Sequence, residues 1–140
     1  MKIVFDTNII LDVLQIREPH FQLSANLFDS VVNQSLQGYL CATTLTTIDY
    51  LMAKQYGKLQ ARECICGLLD VFLIAEVNKT VLKNASLSDF DDFEDAVLYQ
   101  SGVFIKADGF VTRNIKDFKT AILPIYSPDD LLQLIQASKL

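Results

Sequence analysis

Four aspartates stand at positions from which their carboxylates could act together, although they lie far apart in the sequence. They are Asp6, Asp49, Asp95 and Asp117. Carboxylate oxygens are the ligands that hard divalent cations such as Mg²⁺ and Mn²⁺ prefer. Such an ion can polarise a phosphate and lower the pKa of a bound water molecule. Brought to one place, these aspartates would therefore suit the hydrolysis of a phosphodiester bond.

Asp6 follows a short run of apolar residues, 3–5, that is typical of a buried parallel strand. Thr7 and Asn8 come next, and both are residue types that begin helices. This order of strand, acid and helix start predicts that Asp6 lies at the carboxyl edge of a sheet, where open α/β folds bind their ligands. The alternative is that Asp6 only begins a turn and caps the helix.

The other three aspartates have structural explanations as well as functional ones. Asp49 falls in a predicted helix on the same stripe as Leu45, so a partly buried carboxylate there needs a partner, and no basic residue lies one turn away. Asp95 lies deeper in an acid-rich helix start, where the helix dipole explains acids less well. Asp117 follows the fourth predicted strand and could instead form a capping box with Asn114.

The elements that must position these residues alternate regularly between strand and helix. Strands are predicted at residues 3–5, 39–42, 71–74, 109–112 and 123–126. Among the helices between them, one spans residues 21–36 and is stopped by Gly38. Alternation of this kind is typical of a parallel sheet covered by helices on both faces. The chain of 140 residues is long enough for one such α/β domain, which we place at residues 1–140.

The composition limits the possible functions. The chain has 17 acidic and 12 basic residues, a net charge of −5, which argues against binding nucleic acid by bulk electrostatics. It does not exclude a metal-dependent nuclease, because bound divalent ions dominate the local field. No apolar run has the length of a membrane span, no signal peptide is recognised, and three cysteines cannot all pair. We therefore expect a cytoplasmic protein without membrane contact.

Basic residues gather around the fourth predicted strand and its aspartate. They are Lys106, Arg113, Lys116 and Lys119. Side chains of this type could contact the phosphates of a nucleic acid at the rim of the site. A solvated surface explains them nearly as well.

Three motifs, in this order and at these separations, give the sequence a family resemblance. They are DTNIILD at residues 6–12, DDFEDA at residues 91–96 and VTRNIKDF at residues 111–118. Together they resemble the PIN-domain family, and specifically its VapC-like branch, the ribonuclease toxins of bacterial toxin–antitoxin pairs. The resemblance covers nearly the whole chain. It implies a three-layer α/β/α sandwich with a central parallel sheet of about five strands and an acidic pocket that holds Mg²⁺ or Mn²⁺.

The resemblance also implies roles for the aspartates. Asp6, Asp95 and Asp117 match the family's metal-binding acids, and Asp49 matches its second catalytic acid. That acid is commonly glutamate, so it stays open whether the shorter Asp49 binds a metal directly or acts through a water molecule. Some relatives carry an acid where this chain has Asn114, which leaves the fourth position open between Asn114 and Asp117.

Polar residues near these acids match the family's pocket positions. Asn8 and Thr112 would orient water molecules or acids there, and with Arg113 and Lys116 they form our predicted contacts to an RNA substrate. The resemblance further implies a cognate antitoxin protein as partner, and a homodimer is compatible with the apolar surface of the predicted helices.

Three classes of function follow from these observations. The first is a metal-dependent endoribonuclease, which the family implies would leave a 3′-hydroxyl and a 5′-phosphate. The second is a catalytically weak PIN-like module that binds RNA or protein. The third, a receiver-type signalling domain, is disfavoured because it requires a lysine after the fifth strand, whereas Tyr126 is followed by Ser127 and Pro128.

Overall fold

Five short strands form one parallel sheet in the computed structural model, which describes residues 1–118 and 120–139. The strands are β1 (Lys2–Phe5), β2 (Gln37–Cys41), β3 (Leu73–Ala75), β4 (Gly109–Val111) and β5 (Ile125–Tyr126). Their spatial order is β3-β2-β1-β4-β5, and each neighbouring pair runs parallel. The predicted α/β class and the five-stranded parallel sheet are confirmed.

Helices cover both faces of the sheet. In the described residues they are α1 (Thr7–Leu14), α2 (Phe21–Val32), α3 (Ala42–Tyr56), α4 (Lys58–Val71), α5 (Lys79–Ser86), α6 (Phe93–Phe104) and α7 (Pro128–Ser138), with a 3₁₀ turn at Ile115–Phe118. Buried residues of α1, α2, α3, α4 and α7 belong to one hydrophobic core, and those of α5 and α6 belong to a second core. The molecule therefore has the predicted three layers. No described helix has the length and apolar character needed to cross a membrane.

The two cores are separated by the alternation of side chains along the central strands. Ile3 and Phe5 of β1 lie in the first core, and Val4 between them lies in the second. β4 divides in the same way, with Val111 in the first core and Phe110 in the second. Successive side chains of a strand point to opposite faces, so a strand covered on both sides must be apolar at every position.

Helix α2 is shorter than predicted, and the prediction that Gly38 stops it is wrong. The helix ends at Val32, and Gln34 then adopts a left-handed conformation with a φ of 67°. Leu36 is buried as expected, but the segment leading into β2 buries it. Gly38 lies inside β2 opposite Ile3, where a side chain would collide with Phe72. Apolar spacing alone did not distinguish these two ways of burying Leu36.

The sheet reverses its strand order beside β1. The chain builds β1, β2 and β3 outward in one direction and then returns to place β4 on the other side of β1. Phe5 pairs with Val111, and the backbone N–H of Asp6 donates to the carbonyl of Val111 at 3.0 Å. In open α/β sheets, ligands bind in the crevice at the carboxyl ends of the strands where the order reverses. Asp6 and Thr112 are the first residues beyond those ends.

Helix α6 packs against β4 at a position that only glycine allows. A Cβ atom built at Gly102 would overlap the ring of the buried Phe110, whereas one at Gly67 of α4 would meet nothing within 4 Å. We expect Gly102→Ala to lower the free energy of unfolding by about 1–3 kcal/mol, because the core cannot take the extra volume. The control Gly67→Ala should raise it by up to about 1 kcal/mol through helix propensity. Urea unfolding of both variants checks this, and equal effects would contradict the close packing.

Candidate active site

Asp6 is held in one position by hydrogen bonds to both of its carboxylate oxygens. Oδ1 accepts from the backbone N–H of Thr7 at 2.8 Å, and Oδ2 accepts from the hydroxyl of Thr112 at 2.7 Å. The residue is only 7% exposed. Burial raises the pKa of Asp6, the two hydrogen bonds lower it, and the nearby carboxylates of Asp117 and Glu94 raise it further. Asp6 is thus a fixed carboxylate in a negatively charged environment.

Asp6 opens into a cleft of about 220 Å³ that four segments of the chain form together. The cleft is lined by Asp6, Thr7, Asn8, Leu11, Thr47, Leu51, Asp92, Glu94, Asp95, Leu98, Asn114 and Asp117. The structure therefore brings together the three aspartates predicted to bind metal, and it places Asn8 with them. Asn114 and Asp117, the two candidates for the fourth position, both reach this cleft.

Asp95 lies in the first turn of α6, half-buried among other acids. Its backbone N–H donates to Oδ1 of Asp92 at 3.0 Å, and Asp92 is thus the N-cap of the helix. Burial, and to a lesser extent the carboxylates of Asp6, Asp92, Asp117 and Glu94, together raise the pKa of Asp95 to about 7. Like charges repel one another across the cleft, and a bound cation would relieve this repulsion.

Sequence reasoning missed the contribution of Glu94. Its carboxylate lines the cleft and accepts a hydrogen bond at 3.0 Å from the hydroxyl of Thr47 on α3. Acids in the first turn of a helix are favoured by the helix dipole. This explanation accounts for Glu94 without a functional site, so its place in the cleft was not predicted. The available signal was its position next to Asp95 in the acidic motif.

The structure does not bring Asp49 into this cleft, so its predicted place among the acids is wrong. Its carboxylate accepts from Nε of Arg62 on α4 at 3.1 Å and borders a different depression. The residues of α3 that line the cleft are Thr47 and Leu51. Residues two apart on a helix point in different directions, so Asp49 faces α4 while Thr47 faces the acids. The partner of Asp49 is thus Arg62, which lies on another helix and not within one turn of Asp49.

Thr112 lies beneath the cleft instead of lining it. It is fully buried, donates its hydroxyl proton to Asp6 and accepts at Oγ1 from the backbone N–H of Asn114 at 3.0 Å. The prediction that Thr112 orients an acid agrees with this position. A direct contact to substrate would require it to leave both partners.

The two predicted basic contacts have different environments. The guanidinium of Arg113 donates to both carboxylate oxygens of the buried Asp12, from Nε at 2.7 Å and from Nη2 at 3.0 Å. Lys116 is exposed and borders a second depression of about 440 Å³, which adjoins the cleft at Asn114 and Asp117. Lys119 lies outside the described residues. Of the two predicted contacts, both within the described residues, Lys116 is therefore an available cation beside the acids, whereas Arg113 is already paired.

The donors in the cleft fit a hard divalent cation that keeps part of its water shell. Among residues 1–118 and 120–139, no three Asp, Glu, His or Cys side chains lie close enough to enclose an ion. Mg²⁺, however, usually binds proteins through one or two carboxylates and several water molecules. An open acidic cleft with Asp6 fixed in place suits that mode better than a closed protein cage does.

The raised pKa of Asp95 predicts how the stability of the metal-free protein depends on pH. The native state holds a proton on Asp95 up to about pH 7, whereas the unfolded chain releases it near the ordinary value of 3.8. The free energy of unfolding should therefore fall as the pH rises from 5 to 8. Over this range, the free energy of unfolding should fall by on the order of 1 kcal/mol more in wild type than in Asp95→Asn. The difference is small because partial exposure of Asp95 screens the effect. Urea unfolding in EDTA measures this, and parallel curves would contradict the shift.

Solved structures with the same fold include several proteins of toxin–antitoxin systems. VapBC2 from Rickettsia felis, bound to a DNA fragment from its promoter, aligns with a TM-score of 0.70 at 17% identity and covers 91% of this chain and 98% of that chain. VapC20 from Mycobacterium tuberculosis, a toxin that cleaves the sarcin-ricin loop, aligns with a TM-score of 0.68 at 15% identity, covering 87% and 96%. VapBC-1 from nontypeable Haemophilus influenzae gives 0.69 at 15% identity, covering 92% and 99%.

Sequence comparison assigns the family directly. No curated protein matches the sequence. A family model described as a PIN domain matches residues 2–116, which include Asp6, Asp95 and the residues around β4. This match spans most of the chain and agrees with the parallel sheet and the position of the acidic cleft. The chain belongs to the PIN-domain family.

Proposed function

We propose that this protein is a Mg²⁺- or Mn²⁺-dependent endoribonuclease and the toxin of a bacterial toxin–antitoxin pair. The observation that carries the proposal is the convergence of Asp6, Asp95 and Asp117 on one cleft where the sheet reverses its strand order. Membership of the PIN-domain family supports it, as does the fold shared with VapC20, which cleaves the sarcin-ricin loop.

The carboxylates of Asp6, Asp95 and Asp117 would hold the cation. When bound, a divalent cation polarises the scissile phosphate and lowers the pKa of a bound water molecule. Asp6 presents its carboxylate in a fixed orientation because Thr7 and Thr112 hold both oxygens. Asn8, at the start of α1, offers an amide that can orient water or a phosphate oxygen at the same edge.

The acidic lining of the cleft would repel the phosphates of an RNA substrate. The cleft contains four aspartates and one glutamate, and the whole chain carries a net charge of −5. A phosphate strand is repelled by such a surface unless cations neutralise it. Lys116, which lines a depression with Asn114 and Asp117, would contact a phosphate next to the cleft. We therefore expect the RNA affinity to depend strongly on divalent cations.

The proposal includes an antitoxin protein and a second copy of the chain as partners. VapBC2 and VapBC-1, the neighbours described above, support the first. Helices α2, α3 and α4 also expose large apolar side chains, with Val32 64%, Tyr50 63% and Leu59 77% exposed. Exposed apolar surface of this kind is typical of faces that bind another protein.

A binding module with little catalytic activity is the second candidate. Two observations favour it: α3 presents Thr47 instead of an acid to the cleft, and the described residues hold no preformed cage for an ion. Such a module would bind RNA or protein and leave the RNA intact. The same cleavage assay separates the two candidates.

Removing one carboxylate from the cleft should abolish RNA cleavage. We expect Asp6→Asn and Asp95→Asn to lower the cleavage rate by about 100-fold or more, because each removes charge that would hold the cation against the reacting phosphate. Asp49→Asn is the matched control, since Asp49 pairs with Arg62 away from the cleft and should leave the rate within about twofold. The measurement uses structured RNAs with Mn²⁺, Mg²⁺ or EDTA, and single-stranded DNA as a competing substrate.

Thermal unfolding of the same variants shows whether they fold. Mn²⁺ should raise the Tm of wild type and of Asp49→Asn, and it should raise the Tm of Asp6→Asn much less. Cleavage that persists in both cleft variants, or in EDTA, would refute the site. RNA binding without cleavage by the wild-type protein would favour the binding module.

A further inference from the structure

We propose that the buried ion pair between Asp12 and Arg113 positions the cleft residues and that Arg113 is not a direct RNA ligand. The pair joins α1, which begins at the cleft, to the loop that carries Asn114 and Asp117. This inference rests on the proposed function, because the groups being positioned are those assigned to cation and phosphate. It corrects the sequence-based expectation that Arg113 binds substrate.

Asp12 is a charged residue that solvent cannot reach and that the proposed chemistry does not use. It is 0% exposed, and donors from two other segments surround its carboxylate. Arg113 donates to Oδ2 at 2.7 Å and to Oδ1 at 3.0 Å, and the hydroxyl of Ser24 on α2 donates to Oδ2 at 3.3 Å. A two-bonded pair between guanidinium and carboxylate fixes direction as well as distance. The position of Arg113 relative to α1 is therefore closely defined.

Arg113 stands between two residues that build the cleft. Before it, Thr112 donates its hydroxyl proton to Asp6, and after it, the backbone N–H of Asn114 donates to the hydroxyl of Thr112. The backbone N–H of Asp117 then donates to the carbonyl of Asn114 at 3.0 Å. A shift of the backbone at Arg113 would thus move partners of both Asp6 and Asp117.

The loop has a second anchor on its other side. Phe118 is buried in the second core and packs against Phe90 and Phe110. Asn114 and Asp117 lie between this anchor and Arg113, and both are exposed at the cleft. Only residues 114–117 separate the two anchors, and the 3₁₀ turn Ile115–Phe118 includes three of them, so fixing both ends leaves this segment little freedom. The ion pair supplies the anchor nearer to Asp6.

A direct contact between Arg113 and a phosphate is the competing explanation, and the geometry disfavours it. The side chain of Arg113 is only 24% exposed, and its two bonds point to a carboxylate that is 0% exposed. A phosphate that recruited this guanidinium would leave the charge of Asp12 buried without a partner, which is costly. Lys116 offers a cation at the same edge without that cost.

The test compares Asp12→Asn, Arg113→Lys and the double variant on an RNA that the wild-type protein cleaves. If the pair positions the loop, each single variant should lower kcat about 10- to 100-fold, since small misplacements of reacting groups have large effects. KM should stay within about twofold. The kcat of the double variant should be no lower than that of the more impaired single variant, because both changes break the same interaction. If Arg113 instead binds RNA, Asp12→Asn should leave kcat intact and Arg113→Lys should raise KM, which would overturn the proposal.

The matched control is the ion pair between Asp49 and Arg62, whose side chains are 28% and 60% exposed. Asp49→Asn and Arg62→Lys should leave both kcat and KM unchanged. A merely structural role for the buried pair would lower the Tm of Asp12→Asn but leave kcat unchanged well below the Tm, and this also would overturn the proposal.

Hydrogen exchange supplies a readout that does not need RNA cleavage. In Arg113→Lys, the amides of residues 112–118 should exchange at least about tenfold faster than in wild type, while the exchange rates of the amides of α5 should equal those of wild type. If Asp12→Asn does not fold, Ser24→Ala replaces it and should show the same pattern. Unchanged exchange in the loop would refute the positioning role even if the wild-type protein proves inactive on RNA. Faster exchange in an inactive protein would support the positioning role and count only against the proposed nuclease.

Discussion

Several carboxylates lie close together at one edge of the parallel sheet, where burial and mutual repulsion disfavour their charged forms. The fold must hold them there in spite of this cost. Asp6 is almost fully buried, and Asp95 is half-buried beside it, so burial raises both pKa values and neighbouring acids raise them further. Acids gathered in this way destabilise a folded chain above neutral pH. The fold keeps Asp6 in place with the hydroxyl of Thr112 and the backbone N–H of Thr7. An arrangement that costs stability is more readily explained by a site than by folding.

The two cores give this site a rigid base. Residues 3–5 of β1 and residues 110–111 of β4 are apolar and buried, with side chains in both cores, so the backbone from which Asp6 and Thr112 extend is set by packing on two sides. The pair between Asp12 and Arg113 belongs to the same support. A buried ion pair adds little net stability compared with well-packed apolar residues, because its desolvation opposes its attraction. Its value here lies in fixing where the loop after β4 sits.

The predicted elements of the fold that the structure confirms depend on local signals. The strand and the residues Asp6, Thr7 and Asn8 are consecutive in the sequence, so a local pattern is enough to predict them. The reversal of strand order beside β1 then brings the acids of other segments close to Asp6. The error at Asp49 arose because apolar neighbours define the buried stripe of α3 too broadly to separate Asp49 from Thr47, two positions away. Its partner Arg62 lies on α4, beyond any local pattern. Glu94 was missed because a helix start explains acids without any site.

The acids around the cleft come from three segments of the chain. The end of β1, the start of α6 and the loop after β4 contribute carboxylates, whereas α3 contributes Leu51 and Thr47, whose hydroxyl donates to Glu94. With a pKa of about 7, Asp95 binds a proton near neutral pH in the metal-free protein. A cation that binds through this carboxylate must displace the proton, so its affinity has to increase as the pH rises through that range. Under the proposed function, RNA binding would depend on the bound cation, and both would depend on the charge state of Asp95.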